Sequence, residues 1–139
     1  LELKNREIVQ RGQKEGEEFL KKNRNKKGVL ETKSGIQYKV LRKGKGSYPT
    51  ATSRVKVNYK GSMLSGEEFD SSYKRGKPSE FGLNQVIPGW TEGIQLMRSG
   101  SKFIFYIPQE LAYGANPDPR SGIKPYSLLI FEVELLEIL

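Results

Sequence analysis

Glu67, Glu68 and Asp70 lie together just after Gly66, and neighbouring carboxylates raise the possibility of glycosidase-like acid/base chemistry. The same cluster is ordinary at a solvated turn, and that is the reading taken for Glu67 and Glu68. Nucleophilic chemistry is bounded more tightly. The 139 residues include no histidine and no cysteine, which excludes Ser-His-Asp and Cys-His systems, the usual zinc sites and any disulfide framework. Gly44-Lys45-Gly46 lacks the strand-to-helix setting and the Lys-Ser/Thr ending of a phosphate loop. Carboxylates and amides are too scattered for a calcium loop. No metal or cofactor is expected.

What remains is a set of aromatic and aliphatic residues spaced around tight turns. Phe69-Asp70-Ser71-Ser72 follows the Gly66 turn, and Val86-Ile87-Pro88-Gly89-Trp90 carries the only tryptophan. Leu111-Ala112-Tyr113-Gly114 closes a strand-like stretch, and Phe131 sits in the last one. Taken singly, each reads as core packing.

Strands must position most of this set. Ile36-Gln37-Tyr38-Lys39-Val40 and Val55-Lys56-Val57-Asn58-Tyr59-Lys60 alternate apolar and polar, the period of a half-buried strand. Residues 101–107 and 127–138 are the other clear strands, with Leu129, Phe131, Val133 and Leu135 sharing one face. Pro88 and Gly100 bracket one short helix over about residues 88–98. With strands dominant and no βαβ alternation, the expected class is α+β: an antiparallel, twisted sheet wrapped around one short helix.

Ahead of this domain, residues 1–27 read as a helical arm, rich in Glu, Lys, Arg and Gln. Its apolar stripe is thin: Ile8, Gly12, Glu15 and Phe19 fall near one face, with Val9, Gly16 and Leu20 beside it. Gly28, after Lys26 and Lys27, gives a helix stop. The division expected is an arm and linker over residues 1–33 and a domain over 34–139. Charge divides the same way, since residues 1–46 hold 14 Lys/Arg against 6 Asp/Glu, while the remainder holds 10 of each. A basic stripe could meet nucleic acid or anionic lipid. Here the cations alternate with Glu and no aromatic ladder accompanies them, so a solvated face is expected and nucleic acid is not. The longest apolar run, residues 103–107, is far short of a membrane helix. The chain begins at Leu1 without a basic-then-apolar leader, so a processed chain whose export signal has been removed is expected.

Val57-Asn58-Tyr59-Lys60-Gly61, Phe69-Asp70-Ser71-Ser72, Val86-Ile87-Pro88-Gly89-Trp90, Ala112-Tyr113-Gly114 and Leu129-Ile130-Phe131-Glu132-Val133-Glu134-Leu135-Leu136 resemble, in that order, the FKBP-type peptidyl-prolyl cis-trans isomerases. The resemblance covers about residues 34–139. Gly16-Glu17-Glu18-Phe19-Leu20, Gly28-Val29 and Ser34-Gly35-Ile36-Gln37-Tyr38-Lys39-Val40 extend it to the bacterial macrophage infectivity potentiator-like branch, in which a long helix precedes the domain. The likeness implies acceleration of X-Pro isomerisation in protein folding, without a cofactor. Trp90 would be the floor under the substrate proline. Tyr59, Phe69, Val86, Ile87 and Phe131 would be apolar walls, Asp70 and Tyr113 a polar rim, and Arg75 the partner orienting Asp70. Gln85 would contribute its backbone carbonyl, Ala112 would be a further substrate- or inhibitor-binding residue, and Ile123 would cover the pocket from its loop. Two departures stand out: Ser79, where many eukaryotic members have an aromatic, predicts a thinner wall, and residues 115–122 differ from the usual flap.

Partners implied are proline-containing polypeptides, macrolides of the tacrolimus and rapamycin class, and a second copy paired through an upstream segment. The periplasm or outer membrane of a Gram-negative bacterium is implied in the same way. The alternative is a non-catalytic module that binds proline segments or clients, as a chaperone does, without turnover.

Overall fold

Period-two stretches of Val, Ile, Phe and Tyr bury one face when they pair as strands, and in the computed structural model of the chain they do so. The structure describes residues 2–139, with side chains from residue 13 onward apart from Pro119. In chain order the elements are α1 (Glu2–Asn23), β1 (Val29–Glu31), β2 (Gln37–Arg42), β3 (Arg54–Met63), β4 (Glu68–Ser71), α2 (Ser72–Arg75), β5 (Ser79–Gly82), α3 (Pro88–Ile94), β6 (Lys102–Ile107) and β7 (Leu129–Ile138). The strands form one antiparallel sheet in the order β1-β2-β6-β7-β3-β4, with β5 also paired to β3. Inward residues of β3 (Val55, Val57, Tyr59, Met63), β6 (Phe103, Phe105, Ile107) and β7 (Leu129, Phe131, Val133, Leu135) meet Trp90 and Ile94 of α3 in a single core. The expected α+β wrap of a sheet around one short helix is what forms.

Several boundaries differ from the sequence reading. α1 ends at Asn23 rather than about residue 27, because its last turns tighten to three-residue bonds, Asn25 N–H to Lys22 O and Lys26 N–H to Asn23 O. Gly28 does adopt a left-handed conformation, but in the turn beyond. Val29–Glu31, left in the arm by sequence, pairs with β2. The expected helix over residues 88–98 stops at Ile94 and continues as three-residue turns. β4 and β5 have four residues each, too few for a period of two to show.

The arm packs on the domain more tightly than its thin stripe implied. Phe19 tilts against Tyr106 at 5.6 Å, and a Cβ at Gly16 would stand 3.3 Å from Leu128 Cβ. The side chains of Ile8 and Val9, like position 12, lie outside the described residues. Gln37 is fully buried. Its amide oxygen accepts from Asn23 Nδ2 at 2.9 Å, and its amide nitrogen donates to Leu20 O at 2.8 Å and Glu31 Oε2 at 3.0 Å. Buried amides are costly unless paired, so this network fixes where α1 leaves the sheet.

Replacing Asn23 by Ala leaves the buried oxygen of Gln37 without its donor and should cost about 1–3 kcal/mol of stability. Urea unfolding followed by circular dichroism measures this, and an unchanged midpoint would contradict it.

Candidate functional site

Trp90 arrives in the core because Pro88, which lacks an N–H, is tolerated in the first turn of α3, placing the indole two residues later under the sheet. Three rings stand against it. Tyr59 from β3 meets it edge-on at 4.9 Å, Phe131 from β7 does so at 5.0 Å, and Phe81 from β5 lies at 5.3 Å with a tilt. Phe69 from β4 packs edge-on against Phe131 at 5.5 Å. Edge-to-face contacts of this kind add to simple burial. They also need room at the strand crossing, which Gly61 provides: a Cβ there would come within 2.7 Å of both Phe69 and Phe131.

Above the indole opens a cleft of about 520 Å³. Tyr59, Phe69, Val86, Ile87, Trp90 and Phe131 form its apolar lining, and Asp70, Gln85 and Tyr113 reach it from the rim. Nine of the residues picked out by sequence thus converge on one concavity. Arg75 does not line it but acts on the rim from behind. Its guanidinium pairs with Asp70, donates to the Tyr59 hydroxyl and to Ser79 Oγ at 2.9 Å each, and lies over the Tyr59 ring. The Tyr59 hydroxyl in turn donates to Asp70.

Two expected residues are elsewhere. Ala112 caps a short 3-10 turn, with its N–H bonded to Gln109 O, and packs toward the core rather than the cleft. Ile123 is drawn from its loop into the hydrophobic core and is absent from the cleft lining. Conversely, Phe81 lines the cleft without having been singled out. The signal was its spacing from Ser79: two residues apart on one strand, they share a face. Phe81 restores part of the wall that Ser79 leaves thin.

The Phe69-Asp70-Ser71-Ser72 motif divides its work by residue. Phe69 lines the cleft and Asp70 forms its rim. Ser71 caps α2 by accepting from Lys74 N–H. Ser72, fully buried, accepts from Tyr59 N–H at 2.9 Å and donates to Asn58 Oδ1 at 2.9 Å, tying the turn to the strand that carries Tyr59.

Burial raises the pKa of both cleft phenols. For Tyr59 the hydrogen bond to Asp70 adds to it while Arg75 opposes, and for Tyr113 the Asp70 charge adds to it. Tyr73 and Tyr106 are raised by burial as well. Among the described residues the buried Trp90 indole N–H has no hydrogen-bond partner, and the half-exposed Tyr113 hydroxyl bonds to no other described residue. The arrangement can desolvate a flat, apolar group on the indole and offer it one phenolic donor at the edge.

Raised phenols keep their protons longer in the folded chain than in the unfolded one. Their stabilising contribution is therefore complete below the ordinary value of about 10 and lost as pH climbs through the folded value. Unfolding free energy should show no fall from these groups up to about pH 9 and a decline above about pH 10. Tyr59→Phe should make that decline shallower in denaturant titrations across pH, and equal steepness would remove Tyr59 from the account.

Comparison with known proteins places this geometry. The family model described as FKBP-type peptidyl-prolyl cis-trans isomerase matches residues 45–136, and that of the domain amino terminal to it matches residues 1–40. FkpA of Aeromonas hydrophila is 53% identical over 126 residues, covering 91% of this chain and 46% of its own length. The FKBP-type 22 kDa isomerase of Escherichia coli K12 is 51% identical over 125 residues, covering 90% and 60%. The crystal structure of FkpA from Escherichia coli superposes with a TM-score of 0.93 at 43% identity, covering 99% of this chain and 63% of that one. The chain thus spans about half the length of the curated relatives it matches.

Proposed function

The chain belongs to the FKBP-type peptidyl-prolyl cis-trans isomerase family, and on that premise we propose that its cleft accelerates X-Pro isomerisation in polypeptides. The observation that carries this is the ring of Tyr59, Phe81 and Phe131 around Trp90 beneath a rim where Tyr113 has a free hydroxyl. Turning a peptide bond through its perpendicular geometry costs about 18–20 kcal/mol because resonance is lost. For X-Pro this makes exchange take tens to hundreds of seconds, slow enough to limit folding. No bond breaks, so the reaction needs no nucleophile.

The proline ring packs on the indole face, with Val86, Ile87 and the aromatic edges holding it. As the amide twists, its carbonyl loses the polarity that resonance supplies, and water then solvates it less well than the planar form. A dry aromatic cleft therefore favours the twisted amide over the planar one, which is differential binding of the transition state. Tyr113, unengaged by the protein, donates to the substrate and holds the carbonyl out of plane. Asp70 is already served by Tyr59 and Arg75, so it acts through its fixed charge and by orienting Tyr59. Gln85 supplies its backbone carbonyl at the edge.

The same reading takes residues 1–33 as an arm that holds clients and 34–139 as the isomerase domain. Macrolides of the tacrolimus and rapamycin class present a proline-like ring and would compete for the Trp90 floor. Pairing with a second copy, and a periplasmic or outer-membrane setting in a Gram-negative bacterium, belong to it too; the relatives' bacterial origin supports the bacterial setting.

A protease-coupled isomerisation assay on an X-Pro tetrapeptide tests the proposal. Tyr113→Phe and Asp70→Leu should each lower kcat/KM by roughly 10²-fold or less, with unchanged circular dichroism, as loss of one preorganised polar group does. Full activity in both would contradict the rim roles, and an inactive parent chain would leave a binding module instead. Since Trp90 is the only tryptophan, macrolide titration should change the intrinsic fluorescence and inhibit turnover together. A flat titration with uninhibited turnover would contradict a Trp90-floored site.

A further inference from the structure

Tyr126 is the one non-glycine residue with a positive φ among those described, at 59°. A bulky side chain rarely takes that conformation, and it persists only where the surroundings determine it on several sides. Two features of its surroundings bear on it here. Its backbone N–H donates to Gly114 O at 2.8 Å, immediately after the rim residue Tyr113. Its half-buried side chain lines a groove shared with Gln13, Gly16 and Leu20 of α1.

Residues at both stems of the loop over residues 112–128 line the groove along α1. Gln109 lines that groove and accepts from Gly114 N–H at 3.0 Å. On the other stem, Leu128 stands where a Cβ on Gly16 would be 3.3 Å away, tighter than an ordinary contact. The path from the helix to the rim runs across this groove: Gly16 of α1 close against Leu128, Tyr126 and Gln109 facing α1 across the groove and both bonded to Gly114, and Gly114 next to Tyr113. The Asn23–Gln37 bond at the far end of α1 keeps the helix from sliding along this contact.

From this we infer that Tyr126 is a positioning residue: it ties α1 to the Tyr113 loop, so that the arm braces the rim of the cleft. The inference rests on the isomerase reading only for its consequence in turnover. Tyr126 touches no substrate, and it acts by fixing where the Tyr113 hydroxyl stands.

The test uses the full chain with four variants. Tyr126→Gly keeps the N–H and the left-handed backbone but deletes the side chain, and Tyr126→Phe keeps the ring. Gly16→Val and the milder Gly16→Ala push on Leu128 from the helix, away from the cleft. Each is assayed for kcat/KM on an X-Pro tetrapeptide, for melting temperature, and for the Tyr113 ring resonance in tyrosine-labelled protein. Tyr126→Gly and Gly16→Val should each lower kcat/KM about three- to tenfold, as misplacement of a group by a fraction of an ångström does. Both should shift the Tyr113 resonance, and together they should do no more than either alone. Gly16→Ala should act in the same direction more weakly, and Tyr126→Phe should stay near the parent.

A Tyr113 resonance unmoved in Tyr126→Gly and in both Gly16 variants would overturn the tie. So would losses that multiply in the double variant, or that follow the melting temperature alone. Absence of turnover in the parent chain would instead overturn the isomerase reading, and the resonance would still decide whether α1 and Tyr113 are coupled.

Discussion

The register of β3 against β7 decides which side chains reach the cleft. Tyr59 stands opposite Val133 and Gly61 opposite Phe131, so the tyrosine and the phenylalanine emerge on one face, one step apart, with a bare glycine between them and Phe69. A slip of one residue would turn each of these to solvent and replace them with Asn58, Lys60 and Glu132. The register is held along nine residue pairs with a single shift between Lys56 and Val57, which takes up Leu136 on the outside. Everything else at the site attaches to that frame. β4 brings Asp70 opposite Gly61, and β5 brings Ser79 opposite Val57.

This explains the uneven legibility of the site in the sequence. Tyr59 and Phe131 lie on long alternating strands, and Trp90 follows a proline that marks a helix start, so local pattern and burial agree on where they point. Phe81 sits in the four-residue strand Ser79–Gly82, where its two-residue spacing from Ser79 is the only trace of a period. Ala112 and Ile123 show the opposite failure. Their segments are in the expected place, but a 3-10 turn and a loop folding into the core set the side-chain directions, and neither leaves a periodic trace. The end of α1 belongs to the same class: Asn23 is spent on Gln37, fourteen residues away, and only the folded sheet reveals that partner. The sheet wrapped on one helix was legible because burial of alternating residues dominates the energetics; the short strands and the arm's docking were not, because pairing with distant residues creates them.

Charge plays a smaller part in holding the fold than its abundance implies. Lys102 with Glu132 at 3.4 Å, Lys74 with Glu68 at 2.5 Å and Arg42 with Glu134 all keep part of their surface in water, where such pairs contribute about 0–1 kcal/mol each. The Asp70–Arg75 pair differs in its use rather than its strength. Arg75 spreads its donors over Asp70, Tyr59 and Ser79, and a planar guanidinium satisfied in several directions orients its partners as well as neutralising them.

That orientation matters because the proposed chemistry offers few handles. Bond rotation generates no full charge for a metal or an ionised side chain to meet, so selectivity for the twisted amide has to come from shape, dryness and one or two placed donors. Such a site works only if its walls do not rearrange around the planar ground state. Here the walls come from β3, β4, β5, the start of α3, the loop at Tyr113 and β7, segments far apart in sequence and locked by one sheet. Tyr113 is the exception. It is 44% exposed and stands on a loop outside the sheet, so its placement depends on whatever holds that loop. The helix that approaches this loop at Leu128 lies on the face of the sheet away from α3, at the Tyr106 and Gln37 positions. An arm that by composition is a solvated, basic helix thereby gains a structural reason to be covalently joined to this domain.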